Sequence, residues 1–306
     1  VLEEGYHGNT RNTIDVSPYK YEGPGGQGVP DWVHKIPMPY LFRGKYRDPN
    51  SAGKLYANEI QKLCQELELN GKKPSAFIGE SILGCGGQVP LPDQFLKFAY
   101  KHIKKAGGLC IADEVQIGFG RVGKHFWGFE IQKVIPDIVT LGKPIGNGHP
   151  LGAVITTRAI SEAFANGMEY FNTFGGSQVS CAIGMAVLDV IEEENLQEHA
   201  LKTGTWLKSE FNQLKIDHPI IGDVRGEGLF LGVELVLDAK NLQPATSHAR
   251  YVVERLKTKR ILLSTEGPDH NVLKFKPPMV FGKNEGNFLM ENLKSVLRES
   301  SMQVDS

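Results

Sequence analysis

Two residues of opposite chemistry, Asp113 and Lys143, each stand just past a short apolar run. Leu109-Cys110-Ile111-Ala112 leads into the acid, and Ile138-Val139-Thr140-Leu141-Gly142 leads into the lysine. A carboxylate and an amine delivered to one crevice are what pyridoxal phosphate (PLP) chemistry requires. The amine bonds the cofactor's aldehyde, and the acid keeps the pyridine nitrogen protonated so that the ring can act as an electron sink. Spacing alone leaves the bland reading open beside this one. Asp113 reads equally as a loop or capping carboxylate, and Lys143 as a solvated loop lysine.

The elements that must position these residues are strands. Both apolar runs have the unbroken hydrophobic character of strands buried in a parallel sheet, and open α/β sheets bind ligands beyond the carboxyl ends of their strands. Ala76-Phe77-Ile78-Gly79 reads as a third such strand, ending at Glu80. A helix over 93–105, opened by Asp93 as N-cap, separates it from the strand that ends at Asp113. Strand–helix–strand alternation predicts parallel pairing through right-handed crossovers. An amphipathic helix is expected over 56–69, a strand over 152–156 and a long apolar helix over 178–193. Residues 9–55, rich in Pro, Gly, Tyr and Asn, read as a long excursion over the active-site face or as a flexible loop.

The composition changes near Asn195. Beyond it come a charged helix over 196–215, a strong strand at 228–235, a helix near 247–258, strands near 261–264 and 272–275, and a helix near 284–298. The fold class expected is α/β: a mostly parallel sheet with flanking helices over 1–194, then a smaller α+β domain over 195–306.

Composition excludes several function classes. The chain has 306 residues, 41% hydrophobic and 23% charged, which suits a sizeable core. A net charge of −1 gives no reason to expect a nucleic acid or an anionic membrane as partner. No apolar run approaches the ~20 residues of a membrane span. Cys64, Cys85, Cys110 and Cys181 lie far apart without metal-ligand spacing, so free thiols in a reducing, cytoplasmic setting are expected.

Three segments carry a resemblance to a known family. They are Asp113-Glu114-Val115-Gln116-Ile117-Gly118-Phe119-Gly120-Arg121, Pro136-Asp137-Ile138-Val139-Thr140-Leu141-Gly142-Lys143-Pro144 and Asn172-Thr173-Phe174-Gly175-Gly176-Ser177. Their order and spacing resemble those of the class III aminotransferases of PLP fold type I, across essentially the whole chain. The resemblance implies that Lys143 bonds PLP and later shuttles a proton, that Asp113 pairs with the pyridine nitrogen, and that Gln116 bonds the phenolic oxygen. It implies that Tyr6 stacks on the ring, with His7 either orienting the cofactor or packing. Thr173 would reach the phosphate of a partner's PLP in a homodimer with shared active sites. The family also has a stretch ahead of the motif matched by Tyr6-His7-Gly8, where a helix start cradles the phosphate. No substitute for that cradle is legible here. The large domain is therefore expected to be N-terminally incomplete, in a fragment, a split gene product or part of a fusion.

Departures from the family bear on substrate. Many amino-acid-specific members grip a carboxylate with an arginine just before a Pro-Pro pair, backed by a second glutamate. Here Lys274 precedes Phe275-Lys276-Pro277-Pro278, and Cys85 replaces that glutamate, while Glu80-Ser81 replaces the usual Glu-Pro. Lysine is a point charge rather than a carboxylate fork, and suits phosphate. With Phe42-Arg43-Gly44-Lys45-Tyr46-Arg47, Gly123-Lys124-His125-Phe126-Trp127 and Asn147-Gly148-His149-Pro150, these changes resemble the phospho-lyase branch. That branch acts on ethanolamine phosphate or 5-phosphohydroxylysine. The expectation is thus a PLP enzyme acting on a small primary amine, by β-elimination of phosphate and ammonia, with Lys274, Arg43 and Glu80 near the substrate. The alternatives are a true omega-aminotransferase and a catalytically inert partial domain.

Overall fold

The computed structural model describes residues 1–303. Two four-stranded sheets organise the chain, each backed by its own apolar cluster. In the first, β1 (Ala76–Glu80), β2 (Leu109–Asp113), β3 (Ile138–Leu141) and β4 (Ala153–Thr156) lie side by side in that order. β1, β2 and β3 are parallel, as their apolar runs and intervening helix predict, whereas β4 runs antiparallel to β3.

Register decides where the chemistry falls. Glu80 pairs with Asp113 across β1 and β2, and Asp113 with Thr140 across β2 and β3. The ends of three strands are therefore level, with Lys143 two residues beyond the end of β3. The carboxyl edge of the sheet carries the acids and the lysine together, as ligand binding at strand ends requires.

Two helices pack together against β1 and β2: α1 (Ala52–Leu69) and α2 (Phe95–Lys105). Tyr56, Ile60, Phe95, Leu96 and Ile103 fill their contact. α2 begins at Phe95 with Gln94 in the left-handed region as its N-cap. Asp93 is therefore not the cap, because the chain turns sharply at Gln94 and carries the aspartate outside the first turn. The stretch between residues 9 and 55 is mostly irregular, yet it sends Val33, Ile36, Met38 and Tyr40 into buried positions.

The second sheet is antiparallel throughout. Its strands β5 (Ile221–Glu227), β6 (Phe230–Leu235), β7 (Ser264–Glu266) and β8 (Val272–Phe275) stand in the order β5-β6-β8-β7. The strand expected near 261–264 lies instead at Ser264–Glu266, and β5 had no counterpart in the sequence reading. β5 escapes notice because Gly222, Asp223, Arg225 and Gly226 interrupt its apolar pattern. Helices α4 (Leu196–Asp217), α5 (Thr246–Thr258) and α6 (Lys283–Leu297) cover this sheet with Leu207, Phe211, Val252, Leu256, Leu293 and Val296.

A buried charge network ties the long N-terminal excursion to the second sheet. Glu234 on β6 accepts from Arg225 at 2.6 Å, from Arg43 at 2.5 Å and from the Tyr40 hydroxyl. Arg225 also donates to the Gly87 carbonyl at 2.9 Å. Burial alone would push the Glu234 carboxyl up, but Arg225 beside it, with Tyr40 and Arg43, holds it below the usual range. Removing one member would strand a buried charge, which is far costlier than losing the pair.

Candidate active site

The acid comes first, because it is the most firmly held. Asp113 is 4% exposed. One carboxylate oxygen accepts the Val115 N–H at 3.0 Å, and the other lies 2.7 Å from Nδ1 of His7. The ring N–H of His7 donates here, and its side chain is 1% exposed. His7 is fixed in turn by its backbone N–H, which donates to the Ser17 hydroxyl at 2.8 Å. His7 thus holds one oxygen of the Asp113 carboxylate by a hydrogen bond. The signal for this lay in the sequence only as adjacency to Tyr6, since the partner is 106 residues away.

Tyr6 and Lys143 face each other. The Lys143 ammonium lies 5.9 Å from the centroid of the Tyr6 ring, and that ring packs edge-on against Tyr19 with centroids 5.6 Å apart. The backbone at Lys143 has φ +36° and opens a 3₁₀ turn over Lys143–Gly146. A lysine in the left-handed region is strained, and such strain is retained where surroundings over-determine it, often at functional sites. Lys143 itself is exposed. The site therefore holds a buried, hydrogen-bonded acid and an accessible lysine that lies over the Tyr6 ring.

Glu80 lies beside Asp113 and is 2% exposed. Its oxygens accept the Gly84 N–H at 3.0 Å and the Tyr6 N–H at 3.3 Å. Burial, chiefly, and then the nearby Asp113 push its carboxyl up to about 8, against the pull of those N–H groups. Glu80 is thus built to carry a proton at neutral pH while its neighbour bonds to His7. Glu114, wholly buried behind Asp113, accepts the Gly128 and Phe129 N–H groups at 2.7 and 3.0 Å and is pushed up to about 7 by burial. It anchors the loop after β2. The sequence analysis assigned Glu114 no role, although it stands within the motif that begins at Asp113.

Gln116 closes the near side. Its Oε1 accepts from Lys276 Nζ at 2.8 Å. At Gly84 the chain comes so close that a Cβ there would lie 2.5 Å from the Gln116 amide nitrogen, so a larger residue would displace the Gln116 side chain. Lys276 was not singled out from sequence. Its position two residues after Lys274, on the same face of an extended segment, was the available signal. Arg121 donates to the Leu229 and Pro277 carbonyls at 3.1 and 2.8 Å, so it clamps the turn that carries Lys276.

The remaining predicted residues are placed differently. Lys274 pairs with Glu266 across β8 and β7. Arg43 is committed to Glu234 and, at 2.8 Å, to Asp269, so its guanidinium acts as a tie in the charge network. Lys45 pairs with Glu59 at 3.1 Å. Thr173 is exposed in the stretch between β4 and α3 (Gln178–Glu193). Cys85 is buried, and its thiol is pushed up to about 12 by burial and by Glu80 and Glu266. All four cysteines are free thiols. No group of metal-ligating side chains occurs among the described residues. No helix among them is long and apolar enough to cross a membrane.

Asp113 and Lys143 thus stand at the ends of neighbouring strands, the acid buried and the lysine accessible. The class III aminotransferase profile matches residues 1–297. This chain belongs to the class III aminotransferases. It is 50% identical over 309 aligned residues to alanine–glyoxylate aminotransferase 2-like of Drosophila melanogaster, covering 98% of this chain and 63% of that relative. It is 40% identical to ethanolamine-phosphate phospho-lyase homolog 1 of Caenorhabditis elegans, covering 94% of this chain and 64% of that protein. A solved phospholyase from Arthrobacter in complex with phosphoethanolamine superposes with TM-score 0.88 at 32% identity, over 97% of this chain and 70% of that one. The chain therefore spans less than two thirds of the length of the two relatives. The family's cofactor is PLP, and the residues present fit its ring: Asp113 for the pyridine nitrogen, Tyr6 for the π-face and Lys143 for the aldehyde.

Proposed function

We propose that this chain carries the catalytic lysine and acid of a PLP-dependent enzyme acting on a small primary amine. We propose further that the reaction is β-elimination of phosphate and ammonia from a phosphorylated amine. The observation that carries the reading is the Lys143 ammonium, 5.9 Å from the Tyr6 ring centroid, beside the buried His7–Asp113 pair.

The cofactor supplies an electron sink when bound; the chain supplies everything else. Asp113, locked by His7 and the Val115 N–H, would hold a proton on the pyridine nitrogen. Tyr6 would fix the plane of the ring, and the Gln116 amide would meet the phenolic oxygen. Lys143 would take a proton from the carbon that bears the amine. The bond from the neighbouring carbon to the phosphate oxygen would then break. Water would convert the resulting unsaturated amine to an aldehyde and ammonia.

The lean toward elimination is supported by Lys274 where a carboxylate-binding arginine would serve a transaminase, and by uncharged Cys85 in place of an acid. The likeness to a phosphoethanolamine-bound phospholyase supports the same lean. True omega-amino transfer is the second reading, favoured by the aminotransferase name of the 50%-identical relative. Incubating the full chain with PLP and ethanolamine phosphate tests both. Equimolar phosphate and ammonia without a keto acid is the expected result. Amino transfer to a keto acid with no phosphate release would refute the lean. Binding of PLP to neither Lys143 nor any other lysine would favour the inert-domain alternative.

A homodimer with shared sites is part of this proposal. Thr173 stands amid Met168, Tyr170, Phe171 and Phe174, each more than three-quarters exposed, as residues awaiting a second copy would be. Sedimentation of the full chain should show a dimer, and Phe171→Ser should weaken it. The four free thiols accord with a reducing, cytoplasmic compartment.

A further inference from the structure

We infer that Lys276 is a positioning residue that fixes the orientation of the Gln116 amide, so that its N–H₂ rather than its carbonyl faces the cofactor's phenolic oxygen. The inference rests on the PLP reading above.

A glutamine amide presents one acceptor and one donor end, and which end faces a ligand depends on what holds the other. Here Lys276 Nζ donates to Gln116 Oε1 at 2.8 Å. An ammonium has no acceptor, so it can bond only the carbonyl end. Nε2 is left toward the glycine turn at Gly84, where the Glu80 carboxylate, an acceptor, also lies. A flipped amide would set two donors against each other at Lys276 and a carbonyl against an electron-rich phenolic oxygen.

The lysine is itself held in place. Its ammonium lies 5.8 Å from the centroid of the Phe230 ring, and the next residue, Pro277, is clamped by Arg121. No carboxylate among the described residues forms a salt bridge with it, in contrast to Lys274 and its Glu266. The charged groups around it are Arg121, Lys274 and Lys143, with Glu266 the opposing acid. Burial first, then those cations, push the Lys276 amine down to about 8. Its hold on the amide is therefore charge-assisted below that pH and weakens above it.

The test uses the cofactor-free full chain and reads the side-chain amide resonance of Gln116 by NMR as pH rises from 6 to 10, a range set roughly two units either side of the expected midpoint. The resonance should shift with a midpoint near 8. Glu80 titrates in the same range on the other side of Gly84, so Glu80→Gln provides the control. The midpoint should survive Glu80→Gln and vanish in Lys276→Met. An amide resonance that ignores pH, or whose shift survives Lys276→Met, would overturn the assignment. Persistence or loss of the midpoint in Glu80→Gln decides the matter even if Lys276→Met fails to fold. Adding PLP then tests the underlying reading separately. If no visible absorbance of lysine-bound cofactor develops, the cofactor reading fails while the Gln116 result stands.

Discussion

The acids and the bases of this site are built by opposite rules. Glu80, Asp113 and Glu114 sit on or beside the strand ends of the parallel sheet, at most 4% exposed, each held by backbone N–H groups or by His7. Lys143 and Lys276 sit on turns and Lys274 on an inner strand of the second sheet, none of them fully buried, and Lys143 is open to solvent. The acids come from one rigid sheet, whereas the lysines come from two different sheets. The contrast separates two tasks. A group that must hold a proton in place gains from being preorganised. A group that must bond an incoming aldehyde, carry a proton or meet a substrate has to be reachable. The predictions that follow strike first at the accessible lysine, then at the fixed acids, and last at Lys274.

Lys143→Ala should have the largest effect. It removes the only amine proposed to bond the cofactor and to move the substrate proton. Turnover should fall on the order of 10⁴-fold, at the upper end of what a general acid–base group contributes. Visible absorbance of lysine-bound PLP should vanish, and borohydride trapping followed by peptide mapping should find no label in the variant. Label on another lysine of the native chain would break the assignment.

Asp113→Asn should come next. The variant keeps the shape and the Val115 N–H bond but gives up the charge that His7 supports. PLP should still bond to Lys143, while turnover falls by about 10²–10³, the range for losing one preorganised electrostatic contact. Near-native turnover would make Asp113 a structural residue and dissolve the contrast between fixed acids and mobile bases.

Glu80→Gln tests the fixed side through stability. The folded-state carboxyl is pushed up to about 8, whereas the unfolded chain ionises it in the ordinary range. Between those limits the folded state binds the extra proton, so the native contribution is full at low pH and is lost as pH rises through about 8. Denaturation midpoints of the native chain should decline over that window, and those of Glu80→Gln should decline less. Equal slopes would mean that Glu80 ionises freely despite its burial.

Much of this arrangement could be read in the sequence, for reasons that differ by residue. Asp113 and Lys143 were legible because each follows an unbroken apolar run, and a buried strand must end in a polar group at its exposed edge. Family membership and the helices over α3, α5 and α6 were legible for similar reasons, from motif order and from helical periodicity. The His7–Asp113 bond was not legible, because no local pattern links residues so far apart. β5 was hidden by glycines and charges that the structure uses: Arg225 spans to Gly87 and Glu234, so its charge serves a tertiary contact rather than a solvated face. Arg43 misled in the converse way. A basic cluster reads as a phosphate site until its partners Glu234 and Asp269, some two hundred residues away, are seen.

Lys274→Ala should produce the smallest effect and sharpens the comparison on its basic side. Lys274 is about one quarter exposed and already paired with Glu266, so part of its attraction for a substrate phosphate is spent on that acid. If Lys274 meets the phosphate, removing it should raise KM for ethanolamine phosphate by about tenfold, the equivalent of ~1.4 kcal/mol. The kcat should change little, because the contact is remote from the bonds that break. Glu266→Gln should act in the opposite direction, freeing the ammonium and lowering KM. A fall in kcat with KM unchanged in Lys274→Ala would place the lysine at the reacting atoms instead. No change in either constant, with Glu266→Gln equally silent, would leave the Lys274–Glu266 pair as a bridge between β7 and β8 and move the search for the phosphate contact elsewhere on the basic side.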